Sequence, residues 1–184
     1  MGFHTYPIER ADALRDESRY RYCSREELLE RLPTGPETVV ADLGSGTGFY
    51  SDDVAPFVGT LYAVDVQEAM HDRYREAGVP ENVRLVTAEV SSLPFEDDAL
   101  DGAFSTMTHH EYASEVAFDE LARVIRPDGR LVTVDWSADG AGESGPSVDE
   151  RFSKTEAVEH LETAGFTVEA SRDRPETFLL VARR

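Results

Sequence analysis

A chain of 184 residues, 40% hydrophobic and 30% charged, is expected to form a single globular domain with its own core. Its formal net charge is −19 and Lys154 is its only lysine, which argues against a polyanionic partner such as a nucleic-acid backbone. No apolar run approaches a membrane span, the first residues lack a signal-peptide pattern, and the single cysteine, Cys23, excludes an intrachain disulfide and points to a reducing cytoplasm.

Residues 1–21 are polar and aromatic without a clear period. Ser24 suits a helix N-cap, with Glu27 completing a capping box and Leu28, Leu29 and Leu32 forming an apolar side. That helix is expected to run to about Arg31 and to end at Pro33 and Gly35-Pro36. Val39-Val40-Ala41-Asp42-Leu43 then reads as a buried parallel strand. Gly44, Gly46 and Gly48 follow at alternate positions, as in a turn where a Cβ would collide with a ligand. A helix is expected after Phe49, its N-terminus favouring a polar or anionic group.

Further strands are predicted at Leu61–Asp65, Val83–Thr87, Leu100–Ser105 and Arg130–Trp136. Helices are predicted at Gln67–Glu76, Glu115–Ile125 and Lys154–Ala164, the last capped by Ser153 and stopped by Gly165. Pro127-Asp128-Gly129 reads as a turn and Gly140 to Pro146 as a flexible loop. Phe166–Ala170 and Phe178–Ala182 are expected to form an antiparallel hairpin. Alternating strands and helices predict an α/β fold, a mostly parallel sheet with helices on both faces. A ligand then lies outside the carboxyl ends of the strands. Those ends carry Asp42, Asp65, Glu89, Ser105 and Asp135.

The glycine spacing discriminates between cofactors. A dinucleotide fingerprint, G-x-G-x-x-G, would need a glycine at position 49, where Phe49 stands. The pattern D-x-G-x-G-x-G resembles the first motif of class I S-adenosylmethionine (SAM) dependent methyltransferases. The resemblance extends through Ala63-Val64-Asp65, Leu93-Pro94-Phe95, Leu100-Asp101 and Arg123-Val124-Ile125-Arg126-Pro127-Asp128-Gly129-Arg130-Leu131. This last run is similar to a signature of the methyltransferase type 11 group, with Asp128 in place of a glycine. Val134-Asp135-Trp136, Gly145-Pro146 and Arg151-Phe152-Ser153 resemble a small-molecule branch of that group.

The resemblance implies a Rossmann-like, doubly wound, seven-stranded sheet with a C-terminal antiparallel strand. It implies one domain over 1–184, with an N-terminal helical cap or lid (1–36), a SAM-binding core (37–136) and a C-terminal helix and hairpin (137–184). SAM would be the cofactor and S-adenosylhomocysteine the product. Gly44, Ser45, Gly46 and Gly48 would let the backbone approach the methionine part, and Asp42 would hold its amino end. Asp65 would accept from both ribose hydroxyls, with Val66 against the adenine and Glu89 and Val90 around its amine. Ser105 and Met107 would line the site beside the sulfonium.

Methyl transfer needs an aligned acceptor and, for some acceptors, a base. The candidates are His109, His110, Glu111 and Asp135, with His110 and Asp135 foremost; packing or positioning is the alternative role for His110. Adjacent residues converge poorly on one ion, so no metal is expected from the His109-His110-Glu111 run. No N/D-P-P-Y/F/W sequence or Pro-Cys nucleophile follows the fourth strand, which disfavours a nucleic-acid base as acceptor. A small-molecule acceptor remains, with Phe3, Tyr20 and Tyr22 as its wall or lid, in a monomer or homodimer. The rival reading is a non-catalytic SAM- or S-adenosylhomocysteine-binding regulatory or subunit module. The dispersed acidity resembles that of proteins from salt-in halophilic microbes and points to a halophilic archaeon.

Overall fold

The computed structural model describes residues 5–184; Phe3 lies outside the described residues. Seven strands form one sheet in the order β3-β2-β1-β4-β5-β7-β6. β1 (Gly35–Leu43), β2 (Val58–Asp65), β3 (Val83–Thr87), β4 (Leu100–Thr106) and β5 (Ile125–Trp136) run parallel. β7 (Thr177–Arg183) is antiparallel to β5, and β6 (Thr167–Asp173) pairs antiparallel with β7 at the edge. This is the Rossmann-like, doubly wound mixed sheet that the sequence predicts.

Side chains alternate between two apolar layers, as the pleat requires. Val40, Ala63, Phe104, Val132 and Leu179 meet α1 (Arg25–Leu29), α2 (Phe49–Val54) and α3 (Glu68–Ala77) through Leu28, Tyr50, Val54 and Tyr74. Leu43, Val64, Ala103, Leu131 and Leu180 meet α4 (His109–Tyr112), α5 (Glu115–Val124) and α6 (Lys154–Thr163) through Tyr112, Phe118, Leu121 and Leu161. Each fully buried leucine or phenylalanine stabilises the fold by about 1.5–3 kcal/mol. With both faces covered, the central strands read as unbroken apolar runs.

Several local expectations need correction. Residues 5–21 form two 3-10 stretches, Ile8–Arg15 and Glu17–Arg21, in which only Ala11 is buried. Threefold turns lying over a surface leave no 3.6-residue pattern to read. α1 ends at Leu29, and its capping box is only half made. Ser24 Oγ accepts from Glu27 N at 3.2 Å, but the Glu27 carboxylate pairs with Arg174 and Arg31 instead of returning to Ser24.

β1 and β2 begin earlier than predicted, and Ile125 belongs to β5 rather than to the preceding helix. The Pro127–Gly129 turn is a register shift within β5, between Leu100↔Ile125 and Gly102↔Arg130. Asp128 sits there at φ +65°, a left-handed conformation that aspartate tolerates, and accepts from Arg183 at 2.8 Å.

The 140–146 loop lacks regular structure but is tied down. The Glu176 carboxylate accepts from Gly142 N and Glu143 N at 3.1 and 3.0 Å. Buried Arg151 donates to the carbonyls of Ser144 and Pro146 at 2.5 and 2.7 Å. α6 forms with Ser153 as its cap, as predicted, Glu156 closes a capping box there, and the helix ends one residue sooner at Thr163.

Candidate active site

The chain winds outward from β1 to β3 and then crosses to β4, so β1 and β4 flank the topological switch point. The glycine turn leaves β1 here. Gly44 N and Ser45 N both donate to Val64 O at 2.9 Å. Gly46 N donates to Asp65 Oδ2 and Gln67 N to Asp65 Oδ1, each at 2.8 Å. The acid ending β2 thus clamps the turn leaving β1.

All three glycines have positive φ: +76° at Gly44, +53° at Gly46 and +85° at Gly48. The expectation that a ligand excludes their Cβ atoms is corrected at two of them. A Cβ on Gly48 would lie 2.1 Å from the Tyr74 ring, and one on Gly44 would lie 2.6 Å from Thr108 Oγ1. The chain's own packing demands glycine there. At Gly46 the nearest atom is Leu14 Cδ1 at 3.1 Å, the flexible tip of a side chain in the N-terminal segment.

Asp42 is buried beside this turn, with Oδ2 accepting from Ser51 Oγ on α2 at 2.6 Å. Burial pushes its carboxyl up to about 7; the Asp65 charge adds to this, while Ser51 and Arg19 pull the other way. Burial also raises Asp65, against the hydrogen bonds from Gln67 and Gly46. Asp42 Oδ1, Ser45 Oγ, Thr47 Oγ1 and Arg19 Nε are all buried and have no hydrogen-bond partner among the described residues. Buried polar atoms are normally paired; these four gather around one turn, while the others lie on His71, His109, Tyr112, Thr133 and His160.

The remaining candidates spread outward from the turn. Val66 is 46% exposed, directly after Asp65. Glu89 is exposed and accepts from Ser91 Oγ at 3.2 Å, while Val90 packs into the apolar layer with Leu93. Ser105 is fully buried and shares a 2.9 Å hydrogen bond with Thr108 Oγ1, which donates to Leu43 O at 2.8 Å. Thr108 therefore stitches the end of β4 to the end of β1. Met107 holds a left-handed φ of +63°, and its N donates to Val134 O at 2.7 Å.

His109 and His110 diverge. His109 is fully buried among the rings of Tyr112, Phe118, Phe152 and Phe178, and burial pushes its pKa down to about 4. His110 faces the buried Asp135. Its Nδ1 lies 3.0 Å from both carboxylate oxygens, and its backbone N donates to Oδ2 at 2.7 Å. With Asp135 accepting, the assigned tautomer carries its proton on Nδ1 and leaves Nε2 as the basic nitrogen. Burial opposes the imidazolium, but the charge and hydrogen bond of Asp135 outweigh it, and Glu111 and Glu150 help, so the His110 pKa is raised. Burial pushes Glu111 up to about 7.

The N-terminal segment lies over the turn. Arg15 donates to Thr47 O at 2.5 Å and pairs with Asp52 at 2.6 Å, and Gln67 Nε2 donates to Tyr6 O at 3.0 Å. Sequence reasoning missed Arg19, Ser51 and Thr108. Ser51 left one signal, a small polar residue beside Tyr50 on the buried side of α2. Arg19 left none, because its segment has no legible period.

A family model described as "Methyltransferase domain", of the type 11 group, matches residues 41–133, about half of the chain. Methyltransferase GfsG of Streptomyces halstedii is 32% identical over 155 residues, covering 78% of this chain and 55% of that protein. A demethylmenaquinone methyltransferase of Mycobacterium sp. (strain JLS) is 32% identical over 114 residues, covering 61% of this chain and 48% of that protein. The chain thus spans about half the length of these two curated relatives. Among solved structures, a SAM dependent methyltransferase from Aquifex aeolicus superposes with a TM-score of 0.86 at 28% identity, covering 97% of this chain and 98% of that one.

Proposed function

The chain belongs to the methyltransferase domain family matched over residues 41–133, and from that premise we propose that it methylates a small-molecule acceptor. Its cofactor is S-adenosylmethionine, which supplies a methyl group already activated on a sulfonium. We take residues 37–136 as the cofactor core, 1–36 as its lid and 137–184 as the C-terminal helix and hairpin, acting as a monomer or homodimer. The observation that carries the cofactor site is the set of unpartnered buried atoms at the glycine turn, Asp42 Oδ1 above all. They fit a ligand that brings an ammonium and hydrogen-bonding groups.

In this reading Asp42 holds the ammonium, and Ser45 and Thr47 offer hydroxyls beside it. Asp65 accepts from the ribose hydroxyls while keeping its backbone partners, since each carboxylate oxygen has two lone pairs. Val66 covers the adenine and Glu89 accepts from its amine. Gly44 and Gly48 shape the turn, Ser105 acts through Thr108, and Met107 faces the reacting end. His110, oriented by Asp135, takes a proton from the acceptor as its methyl bond forms. The relative named for demethylmenaquinone and the net charge of −19 favour a small acceptor over a nucleic acid. Among the described residues no helix is long and apolar enough to cross a membrane; a cytoplasmic location remains part of the proposal.

Calorimetry in molar potassium chloride tests the cofactor, and labelled methyl transfer to a metabolite pool tests the activity. Binding of SAM and S-adenosylhomocysteine, absence of NAD binding and label in a small molecule are expected. Tight NAD binding without SAM binding overturns the reading, and SAM binding with no transfer favours a regulatory module.

Asp42 makes cofactor affinity pH dependent. The ammonium pairs with the carboxylate, whereas the free protein takes up a proton at Asp42 as the pH falls through about 7. Asp65, Asp52 and Arg19 are the charged groups bearing on it. SAM affinity should therefore fall on the order of tenfold between pH 7.5 and 6. Asp42→Asn should bind more weakly and lose that slope; an unchanged slope would remove Asp42 from the amino-end role.

The acidity also suits a high-salt cytoplasm, as of a halophilic archaeon. About nineteen excess negative charges repel one another across roughly 30 Å at 0.01 M salt but only about 3 Å at 1 M. The melting temperature should rise steadily from tens of millimolar to molar potassium chloride. A flat profile would dismiss the halophile reading.

A further inference from the structure

One acid in the crevice enters none of the contacts described so far. Glu111 lies on α4, and its N donates to Thr108 O at 3.0 Å. Thr108 is itself anchored beneath Gly44, with Oγ1 donating to Leu43 O at 2.8 Å, so α4 rises directly from the switch point. The sheet order sets β1 and β4 between β2 and β5. Glu111 feels the charges of both Asp65, which ends β2, and Asp135, near the end of β5. It therefore stands over the middle of the crevice, between the acid that clamps the glycine turn and the partner of His110.

No other shielded glutamate is left as this one is. Glu27, Glu120 and Glu176, the others among the described residues that are not exposed, pair with Arg174, Arg123 and Arg151. Glu111 is partly buried, and among the described residues its carboxylate makes no hydrogen bond or ion pair. The charges that bear on it are His110, Asp65 and Asp135, with no arginine or lysine among them. A carboxylate shielded from water without a cation costs stability, and such groups persist in clefts where a ligand supplies the partner. Burial pushes Glu111 up to about 7, so it is near half protonated at neutral pH, and an adjoining cation draws it into its charged form.

The charges around the base discriminate between acceptors. Glu111 and Glu150 add to Asp135 in favouring the His110 imidazolium. A phenol, enol or carboxylic acid acceptor carries or builds negative charge beside these acids, which they oppose. A protonated amine brings the missing cation, and the same acids attract it.

We propose that Glu111 binds a protonated amine of the acceptor, which makes the chain an amine N-methyltransferase. The proposal rests on the methyl-transfer reading given above. The Glu111 carboxylate accepts from one ammonium N–H, and His110 Nε2 takes the proton of another. The freed nitrogen lone pair forms the bond to the methyl carbon, and the carbon–sulfur bond breaks with its electron pair going to sulfur. S-adenosylhomocysteine leaves uncharged at sulfur, the product keeps one positive charge as a methylammonium, and the proton on His110 passes to water.

The test is transfer of labelled methyl from SAM by the full chain in molar potassium chloride, into a metabolite pool divided by cation exchange into amines and non-amines. With the parent, label should enter the amine fraction. Glu111→Gln keeps the side-chain volume and removes the charge. It should need roughly 10- to 100-fold more of the amine fraction for half-maximal transfer, the scale of a hydrogen bond to a charged group, with a much smaller change in maximal rate. Glu111→Asp should recover part of that loss. Calorimetry should give Glu111→Gln the parent's affinity for SAM and S-adenosylhomocysteine, and its melting temperature should not fall, because the carboxylate supports no contact of the fold. Label confined to the non-amine fraction overturns the proposal, as does a Glu111→Gln variant with the parent's half-saturation. Loss of SAM affinity with S-adenosylhomocysteine affinity kept overturns it too, because Glu111 then faces the sulfonium. Loss of both affinities, or a melting temperature lower by several degrees, overturns it by placing Glu111 in the cofactor site or the fold. SAM binding with no label in either fraction overturns the methyl-transfer reading itself and the proposal with it.

Discussion

Replacing His110 with alanine is expected to lower methyl transfer by about 10²–10⁴-fold while leaving SAM affinity nearly intact. Asp135 holds the imidazole through Nδ1 at 3.0 Å and the backbone N at 2.7 Å, so Nε2 is the atom available to an acceptor proton. The base must be neutral to act, and Asp135 raises the pKa above its ordinary 6.5 by favouring the imidazolium. Turnover should therefore climb with pH through a midpoint above 6.5. Asp135→Asn removes the charge that favours the imidazolium, so the midpoint should move down even as the rate falls. These profiles separate a base from a packing residue, whose loss would leave the midpoint where it was. If His110→Ala weakens SAM binding as much as Asp65→Ala does, the residue belongs to the cofactor site and its catalytic role is withdrawn.

Asp65→Ala should weaken SAM binding by at least the roughly 1.5–3 kcal/mol carried by hydrogen bonds to a charged group. The geometry adds a second loss. The same carboxylate accepts from Gly46 N and Gln67 N, so its removal leaves a buried backbone donor at Gly46 unpaired and frees the glycine turn. Asp65→Asn keeps the side-chain shape and one carbonyl acceptor, and should lie between the parent and alanine. Calorimetry decides; a change of less than about threefold in the alanine variant would mean that the ribose is held elsewhere.

The sheet was legible because its central strands are buried on both faces, so Val39–Leu43 and Leu61–Asp65 announce themselves as apolar runs ending in acids. The pairing of His110 with Asp135 was legible only as two separate strand-end candidates. Their contact depends on β4 and β5 lying side by side and on the four-residue helix α4, too short to leave a periodic pattern. Arg19 and Thr108 could not be read. Each works through tertiary contact, Arg19 over the rings of Phe49 and Tyr50 and Thr108 beneath Gly44, and neither contact is encoded in local spacing. The glycines taught the opposite lesson. Their positions were evident, but the reason at Gly48 is Tyr74, a ring 26 residues further along the chain.

The antiparallel β7 has a consequence for how the molecule is made. A ribosome delivers β6 before the strand that attaches it to the sheet, because β7 lies between β5 and β6. Until β7 arrives, nascent β5 presents an unpaired edge carrying Val132 and Val134, and β6, whose residues are mostly exposed, has no partner to template it. The β3-β2-β1-β4 half meets no such delay, since each of its pairings is complete once β4 has emerged. Insertion of β7 between β5 and β6 closes that edge of β5, and until it does the exposed valines are open to pairing with another chain.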